Sequence, residues 1–406
     1  MNAFDEEILT RLATIREAGL HRELRRIESP QSTTILHHGK GLLNFSSNDY
    51  LGLANAPQLR EAAIRAIDRY GAGAGASRLI CGSLTPHHEL DETLAQFKAT
   101  QAALSFSSGY AAAAGAICAL LGREDVAVLD KLVHACIIDA VRLSGAKMRV
   151  FAHNDLNQLE DILKWAQARP ASETATRRPR TLVITESVFS MDGDQAPLRA
   201  IVEMKDRYGA WLMLDEAHAT GLLGPTRKGL AEGCGINDRI EIQMGTLGKA
   251  IGSAGGYICG SKTLIEFLIN RARTFIFSTA PVPAAAAAAT AGVRVIQSEI
   301  GEGLCRSLWA GIGQLTQGLA LKRTAESAII PIHIGPEQKA VNASTALLER
   351  GIYVPAIRYP TVARGKARLR VTLTASHTAE QITVLVAALQ SAKATMGSQK
   401  TEPCTH

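Results

Sequence analysis

Aromatic residues make up only 5% of this 406-residue chain. Its core therefore cannot rest on large ring clusters, and has to come from closely packed aliphatic, alanine and glycine surfaces. Long apolar runs are missing too. The longest, AAAAGAICALL at 111–121, is too short and too alanine-rich to cross a bilayer, so no membrane partner is expected. The start of the chain, MNAFDEEILTRL, is acidic and amphipathic, without the basic-then-apolar order of a secretory signal. Seven cysteines, at 81, 118, 136, 234, 259, 305 and 404, form no CxxC or CxxxC pair. An odd, widely spaced set predicts reduced thiols and a cytoplasmic protein. Among eleven histidines there is no HExxH and no Cys/His cluster, so no metal site is expected. The net charge of +6 is spread out, and the densest basic pairs, Arg25-Arg26 and Arg177-Arg178, are too short for a nucleic-acid-binding stripe. A local preference for an anionic small substrate stays open.

Hydrophobic residues at 46% and charged ones at 20% describe an ordinary globular chain, long enough for two or three domains. Residues 4–28 read as helix, from Ile8, Leu12, Ile15 and Leu20. A short strand and turn follow at 42–53, a helix at 56–71 ending on a glycine, a glycine-rich loop at 71–83 and a helix at 87–99. From there short apolar runs (AALSF, DVAVLD, MRVFAHND, TLVITES, WLMLDEA, IEIQMGT) alternate with helical stretches. The alternation predicts an α/β fold with a mainly parallel sheet covered on both faces. PASETATRRPR at 170–180 reads as a polar surface loop. A long helical segment at 284–322 leads into a smaller α+β domain. Thr378 and Gln381 form a capping box before a final helix. The expected division is an N-terminal segment (1–55), a major domain (56–290), a C-terminal small domain (291–395) and a disordered tail (396–406).

In parallel sheets ligands bind beyond the carboxyl ends of the strands. Polar residues fall at or just past four such ends: Asp130 and His134, Glu186 and Ser190, Asp215 and His218, Thr246 and Lys249. GTLGKAIGSAGG, at 245–256, surrounds Lys249 with glycines, which suggests a phosphate loop. That motif needs a glycine at 243 and Ser or Thr at 250, where this sequence has Gln243 and Ala250. The better reading is a lysine that holds pyridoxal phosphate. That chemistry needs a carboxylate at the pyridine nitrogen, which Asp215 supplies 34 residues earlier. It needs a flat side chain over the ring (His134), donors at the ring oxygen (His218, Ser190), and hydroxyls and backbone N–H groups for the phosphate (Gly109, Tyr110, Thr246). Taken singly, each residue has an ordinary explanation: a helix cap for Asp215, a core histidine within LVHACII for His134, a solvated lysine for Lys249. The ordered set is what favours the cofactor.

Eight segments carry a resemblance: LNFSSNDYLGL (43–53), SRLICGS (77–83), SGYAA (108–112), DKLVHAC (130–136), ESVFSMDGDQAPL (186–198), LDEAHATGLLG (214–224), TLGKAIGSAGGY (246–257) and VPAIRYPTVARGKARLRVTLTA (354–375). In this order, across residues 20–390, the sequence resembles the α-oxoamine synthases, fold-type I pyridoxal phosphate enzymes with an aspartate aminotransferase-like fold. The resemblance implies that Lys249 is the lysine that binds the cofactor and moves the substrate's α-proton, Asp215 the pyridinium partner and His134 the ring-stacking group. It implies His218 and Ser190 at the ring oxygen, and Gly109, Tyr110 and Thr246 at the phosphate. Ser278 and Thr279 resemble phosphate ligands donated by a second subunit, implying a homodimer with shared sites. Arg358 resembles the arginine that grips the amino-acid carboxylate, Asn48 and Thr361 line the site, and Arg25 meets the acyl substrate, a place Arg26 could also fill. The implied reaction condenses an amino acid with an acyl thioester, carried on coenzyme A or acyl carrier protein, with loss of carbon dioxide. L-Alanine with a pimeloyl thioester fits AIRYPTVARGKARLRVTLTA best. Acetyl, succinyl and palmitoyl transfer are the alternatives within the family, and a non-catalytic subunit or a nucleotide-binding module the alternatives outside it. Tyr359 and Ala363 stand where the family pattern has prolines, and Glu216 where DDAH is commoner.

Overall fold

Short apolar runs become buried strands because both faces of the sheet are covered. The computed structural model describes residues 1–169, 177–321 and 325–397. Most of the 170–180 loop and of the 396–406 tail lies outside the described residues. A hairpin of β1 (Thr34–His37) and β2 (Lys40–Asn44) precedes the main sheet. That sheet holds β3 (Ala102–Phe106), β4 (Val126–Asp130), β5 (Lys147–Phe151), β6 (Thr181–Glu186), β7 (Trp211–Asp215), β8 (Ile242–Thr246) and β9 (Gly256–Gly260), in the order β3-β9-β8-β7-β6-β4-β5. Strands β4 to β8 run parallel, and β9 is antiparallel to both β3 and β8. Side chains alternate between two cores, as a two-residue period requires. Val126 and Val128 enter one core, Ala127 and Leu129 the other. The scarcity of aromatics is met by close approach. Helix Gly109–Leu120 lies so near β3 that a Cβ on Gly115 would come within 2.9 Å of the Phe106 ring.

The C-terminal part contains β10 (Ile329–Gly335), β11 (Ile352–Tyr353), β12 (Ala356–Ile357) and β13 (Ala367–Thr372). Strands β10, β13 and β12 form an antiparallel sheet, while β11 pairs in parallel with β2, tying the N-terminal hairpin to this end of the molecule. One hydrophobic core runs from helix Thr85–Lys98 through the main sheet to helix Ala379–Gly397. The capping box forms as read: Thr378 N–H donates to Gln381 Oε1 at 3.1 Å, and Gln381 N–H to Thr378 Oγ1 at 3.3 Å. Among the described residues no helix is long and apolar enough to cross a membrane.

Two local readings are corrected, and one alternative is removed. The first helix spans Ala3–Glu17, not 4–28. It ends in a Schellman motif, with Gly19 left-handed (φ 65°), Leu20 N–H bonded to Ile15 O and Gly19 N–H to Arg16 O. The 284–322 segment is two helices, Pro283–Gln297 and Glu299–Gly318, separated at an extended Ser298. Helix Ala135–Ser144 begins one residue after His134, which is its N-cap, so the alternative explanation of His134 as a core histidine falls away.

Candidate active site

The parallel strands end along one edge of the sheet, and Asp130, Glu186, Asp215 and Thr246 are the last residues of β4, β6, β7 and β8. Glu186 and Asp215 are register partners, so two buried carboxylates lie side by side. Burial raises the Glu186 carboxyl to about 8, and its neighbour Asp215 pushes the same way. Burial also raises Asp215, opposed by the Lys249 ammonium. Lys249 itself is lowered by burial and partly restored by these two carboxylates. The result is a lysine that gives up its proton more readily than a surface lysine.

Around Lys249 the hydrogen bonds have a direction. Lys249 Nζ lies 2.9 Å from His218 Nε2. Burial, and next the Lys249 charge, hold His218 well below its ordinary value, so its ring is neutral. With Nε2 accepting from the lysine, Nδ1–H donates to Tyr50 Oη at 2.6 Å. Tyr50 in turn donates to Asn48 Oδ1 at 3.2 Å, which also accepts two guanidinium bonds from Arg370 at 3.1 and 3.2 Å. Arg370 donates from Nε to Ser190 O at 2.7 Å. The Glu186 carboxylate gathers the loop ends by accepting from the backbone N–H groups of His134, at 2.5 Å, and Ser190. Burial lowers the His134 ring, and Asp215 and Lys249 both act on its charge. The chain from Lys249 through His218, Tyr50 and Asn48 to Arg370 thus spans β7, β8, β13 and the turn after β2.

Two observations bear on whether a phosphorylated ring fits here. Thr246 Oγ1 is buried with no hydrogen-bond partner among the described residues. A Cβ added to Gly109 would come within 2.6 Å of Thr246 Cγ2, so the N-terminus of helix Gly109–Leu120 meets this hydroxyl only because residue 109 is glycine. The first N–H groups of a helix have no intrahelical partner. With an orphaned hydroxyl beside them they make an anion cradle. The donor set fits a phosphate monoester, and the paired carboxylates and lysine fit a basic heteroaromatic ring that reacts as a carbonyl.

The remaining expected residues make other contacts on this chain. Tyr110 is half exposed and donates to Asp139 Oδ2 at 2.8 Å. Ser278 and Thr279 line a small recess with Arg78, Ser105 and Ser107. Arg358 donates to the carbonyls of Gly19 (2.5 Å) and His21 (2.7 Å), and Thr361 is exposed beside it. The Arg25 guanidinium lies 5.2 Å from the Tyr353 ring centroid, whereas the Arg26 carbonyl meets His37 Nδ1. Arg358 and Arg25 thus each sit where the N-terminal segment meets the C-terminal part. Sequence reasoning gave no role to Glu186, Tyr50 or Arg370. The signal for Arg370 was a charged residue repeating within ARLRVT, whose six residues are all buried.

Comparison with known proteins covers nearly the whole chain. Residues 40–389 match the family model described as aminotransferase class I and II. The 8-amino-7-oxononanoate synthase of Anaeromyxobacter dehalogenans is 46% identical over 376 residues, 91% of each chain. That of Geotalea daltonii is 43% identical over 393 residues, 96% of this chain and 97% of its own. Among solved structures, serine palmitoyltransferase from S. paucimobilis with bound PLP–myriocin superposes with a TM-score of 0.89 at 28% identity, covering 98% of this chain and 100% of the other. The 8-amino-7-oxononanoate synthase of Francisella tularensis gives a TM-score of 0.72, also at 28% identity, over 88% of this chain and 98% of its own.

Proposed function

Because the chain belongs to the class I and II aminotransferases, and among them to the α-oxoamine synthases, we propose that the cluster around Lys249 is where its cofactor and amino-acid substrate meet. The cofactor is pyridoxal phosphate. The activity is that of the 8-amino-7-oxononanoate synthases: L-alanine condenses with a pimeloyl thioester, carbon dioxide and the thiol leave, and 8-amino-7-oxononanoate is formed for biotin synthesis. The residue assignments rest above all on one observation, the half-buried Lys249 beside the buried Asp215, Glu186 and His218 at adjacent strand ends.

When bound, the cofactor supplies a protonated ring that accepts the electron pair freed at the substrate's α-carbon. Lys249 would hold the cofactor and move the α-proton, a task suited to an amine whose proton affinity burial has lowered. Asp215 keeps the proton on the pyridine nitrogen. The neutral His134 would cover one face of the ring, and His218 and Ser190 would meet its oxygen. Thr246, Gly109 and Tyr110 would hold the phosphate. The substrate carboxylate is met by the buried Arg370, already aimed into the network through Asn48, and by Arg358 once it leaves the carbonyls of Gly19 and His21. Arg25 and Thr361 face the acyl chain.

A homodimer with shared sites follows from the same reading. Ser278 and Thr279 would reach the phosphate of the other subunit. Ile80 and Phe277, 79% and 70% exposed, sit close in sequence to Ser77 and Thr279, which bridge, and helix Ala3–Glu17 buries no residue of its own. Such apolar surface is suited to a second copy. Mixing Lys249→Ala protein with a Ser278→Ala/Thr279→Ala double variant should regain partial activity through hybrid dimers. A mixture as inactive as its parents rules out shared sites.

Substrate choice is tested by offering alanine or glycine with pimeloyl, acetyl, succinyl and palmitoyl thioesters and following carbon dioxide and free thiol. Alanine with the pimeloyl thioester is expected to turn over fastest. Asp215→Asn should keep its cofactor but lose at least about 10²-fold in kcat, because an amide cannot stabilise charge on the ring nitrogen. Wild-type turnover in that variant would remove Asp215 from the mechanism.

A further inference from the structure

One side chain outside the cluster joins three of the strand-end loops. His153, two residues beyond β5, places Nδ1 3.0 Å from Asp130 Oδ1 and Nε2 2.7 Å from Asp194 Oδ2. Asp130 closes the turn toward His134 by accepting from Leu132 N–H at 2.8 Å, and takes Asn154 N–H at 2.9 Å on its other oxygen. Asp194 belongs to the loop that carries Ser190, and its backbone carbonyl accepts from Phe189 N–H at 3.0 Å. The Phe189 ring meets the His153 ring edge to face, with centroids 4.4 Å apart. Asn154 ties the same loops, donating to Asp194 Oδ2 and to Gln195 O.

We infer that His153 is a positioning residue: clasped between Asp130 and Asp194, it holds the loops that carry His134 and Ser190 at the spacing the cofactor site needs. The inference rests on the assignment of those two residues to the cofactor. Asp130 is fully buried, and Asp194 Oδ1 is buried without a partner, so neither carboxylate has another cation in contact among the described residues. Burial lowers the proton affinity of His153, but hydrogen bonds to the two carboxylates outweigh it and raise the ring to about 10. The ring is therefore a cation at neutral pH and donates from both nitrogens. Its contribution is complete below the ordinary histidine value of about 6.5 and is lost only as pH rises through about 10. A neutral replacement would leave two facing carboxylates and one fewer tie between the loops.

The test uses His153→Gln and the double variant His153→Gln/Asp194→Asn, with two readouts on otherwise intact protein. Backbone amide exchange in 131–134 and 187–195 of the apoprotein should quicken about tenfold in His153→Gln, with β10 unchanged, and the dissociation constant for pyridoxal phosphate should rise about tenfold. Adding Asp194→Asn removes the repulsion and should recover most of both losses. Should His153→Gln not fold, Asp194→Asn alone should quicken exchange in 187–195 and spare 131–134. Exchange and affinity both within twofold of wild type overturn the inference, and so does faster exchange with unchanged affinity, which would make the clasp a structural staple only. Borohydride trapping of the cofactor on Lys249 in the wild-type protein separates the two readings. No trapping there sinks the site assignment itself, whereas normal trapping with an unaffected His153→Gln sinks only the clasp.

Discussion

Lys249→Ala is expected to remove the violet-edge absorbance of the purified protein and to lower turnover by at least about 10⁴-fold. Two tasks fall on one nitrogen, which is why the effect exceeds that of any other single change at the site. Its amine is the group that can capture a carbonyl: it is half-buried, stands 2.9 Å from a neutral His218 ring and faces two carboxyl groups. Burial lowers its proton affinity, so more of the amine is free than in a surface lysine. The other lysine buried near this end of the sheet, Lys98, cannot substitute, because it is sealed against Glu216 and the Lys228 carbonyl. The variant also leaves Glu186 and Asp215 without the charge that draws both carboxyls down. Borohydride treatment should therefore fix label on the wild-type protein and none on the variant. An unchanged spectrum in Lys249→Ala would return the glycine-rich stretch around it to the phosphate-loop reading.

The strand ends could be read from the sequence because parallel strands covered on both faces are unbroken apolar runs. Where VAVLD, TLVITE and WLMLD stop being apolar, the sheet stops, and the residue that breaks the run faces the ligand edge. Lys249, Asp215, His218 and Thr246 were found in that way, and the resemblance then gave them chemistry. Glu186 was found at its strand end but given no role, and Tyr50 and Arg370 escaped because their significance is relational. Tyr50 meets His218 across 168 positions and Arg370 meets Asn48 across 322, and no local period records such pairs. The core-histidine alternative for His134 arose for a different reason. An apolar stretch suggests a helix interior, whereas the first helical residue is the one after it, and the ring caps the turn. The end of the first helix was legible in Gly19 followed by an apolar residue, and hydrophobic spacing through Leu20 outvoted it. Arg358 marks a different limit. The sequence motif assigns it to substrate, and the structure finds it bonded to the N-terminal segment, so its side chain has two places to be.

Lys98→Met is expected to cost about 3–5 kcal/mol of folding stability, the largest stability loss foreseen for any exposed-looking residue of the sequence. In the sequence, Lys98 looks like a solvated cation in the last turn of a helix. In the fold, it and Glu216 are both fully buried, 118 positions apart, and in direct contact. Glu216 spends its other oxygen on Ala231 N–H at 3.0 Å. Gly229, at φ 140°, gives it room, since a Cβ there would fall 2.3 Å from a carboxylate oxygen. Removing the lysine leaves a carboxylate out of water without its cation, and leaves the Lys228 carbonyl without its donor. The cost of the pair itself is a separate matter, because buried ion pairs are often no more stabilising than well-packed neutral groups. Lys98→Met/Glu216→Gln should therefore be more stable than Lys98→Met alone, with the amide oxygen still accepting from Ala231. Chemical-denaturation midpoints of the apoproteins measure both. A single variant within about 1 kcal/mol of wild type, or a double variant worse than the single one, would show that the pair does not act as a buried charge pair. The consequence reaches the active site through the chain, because Glu216 directly follows Asp215. Glu216 N–H is bonded to Met244 O of β8 at 2.8 Å, so a displaced Glu216 shifts Asp215 relative to the strand that leads to Lys249. Loss of stability in Lys98→Met should accordingly be accompanied by weaker cofactor retention, and in the double variant both should recover together.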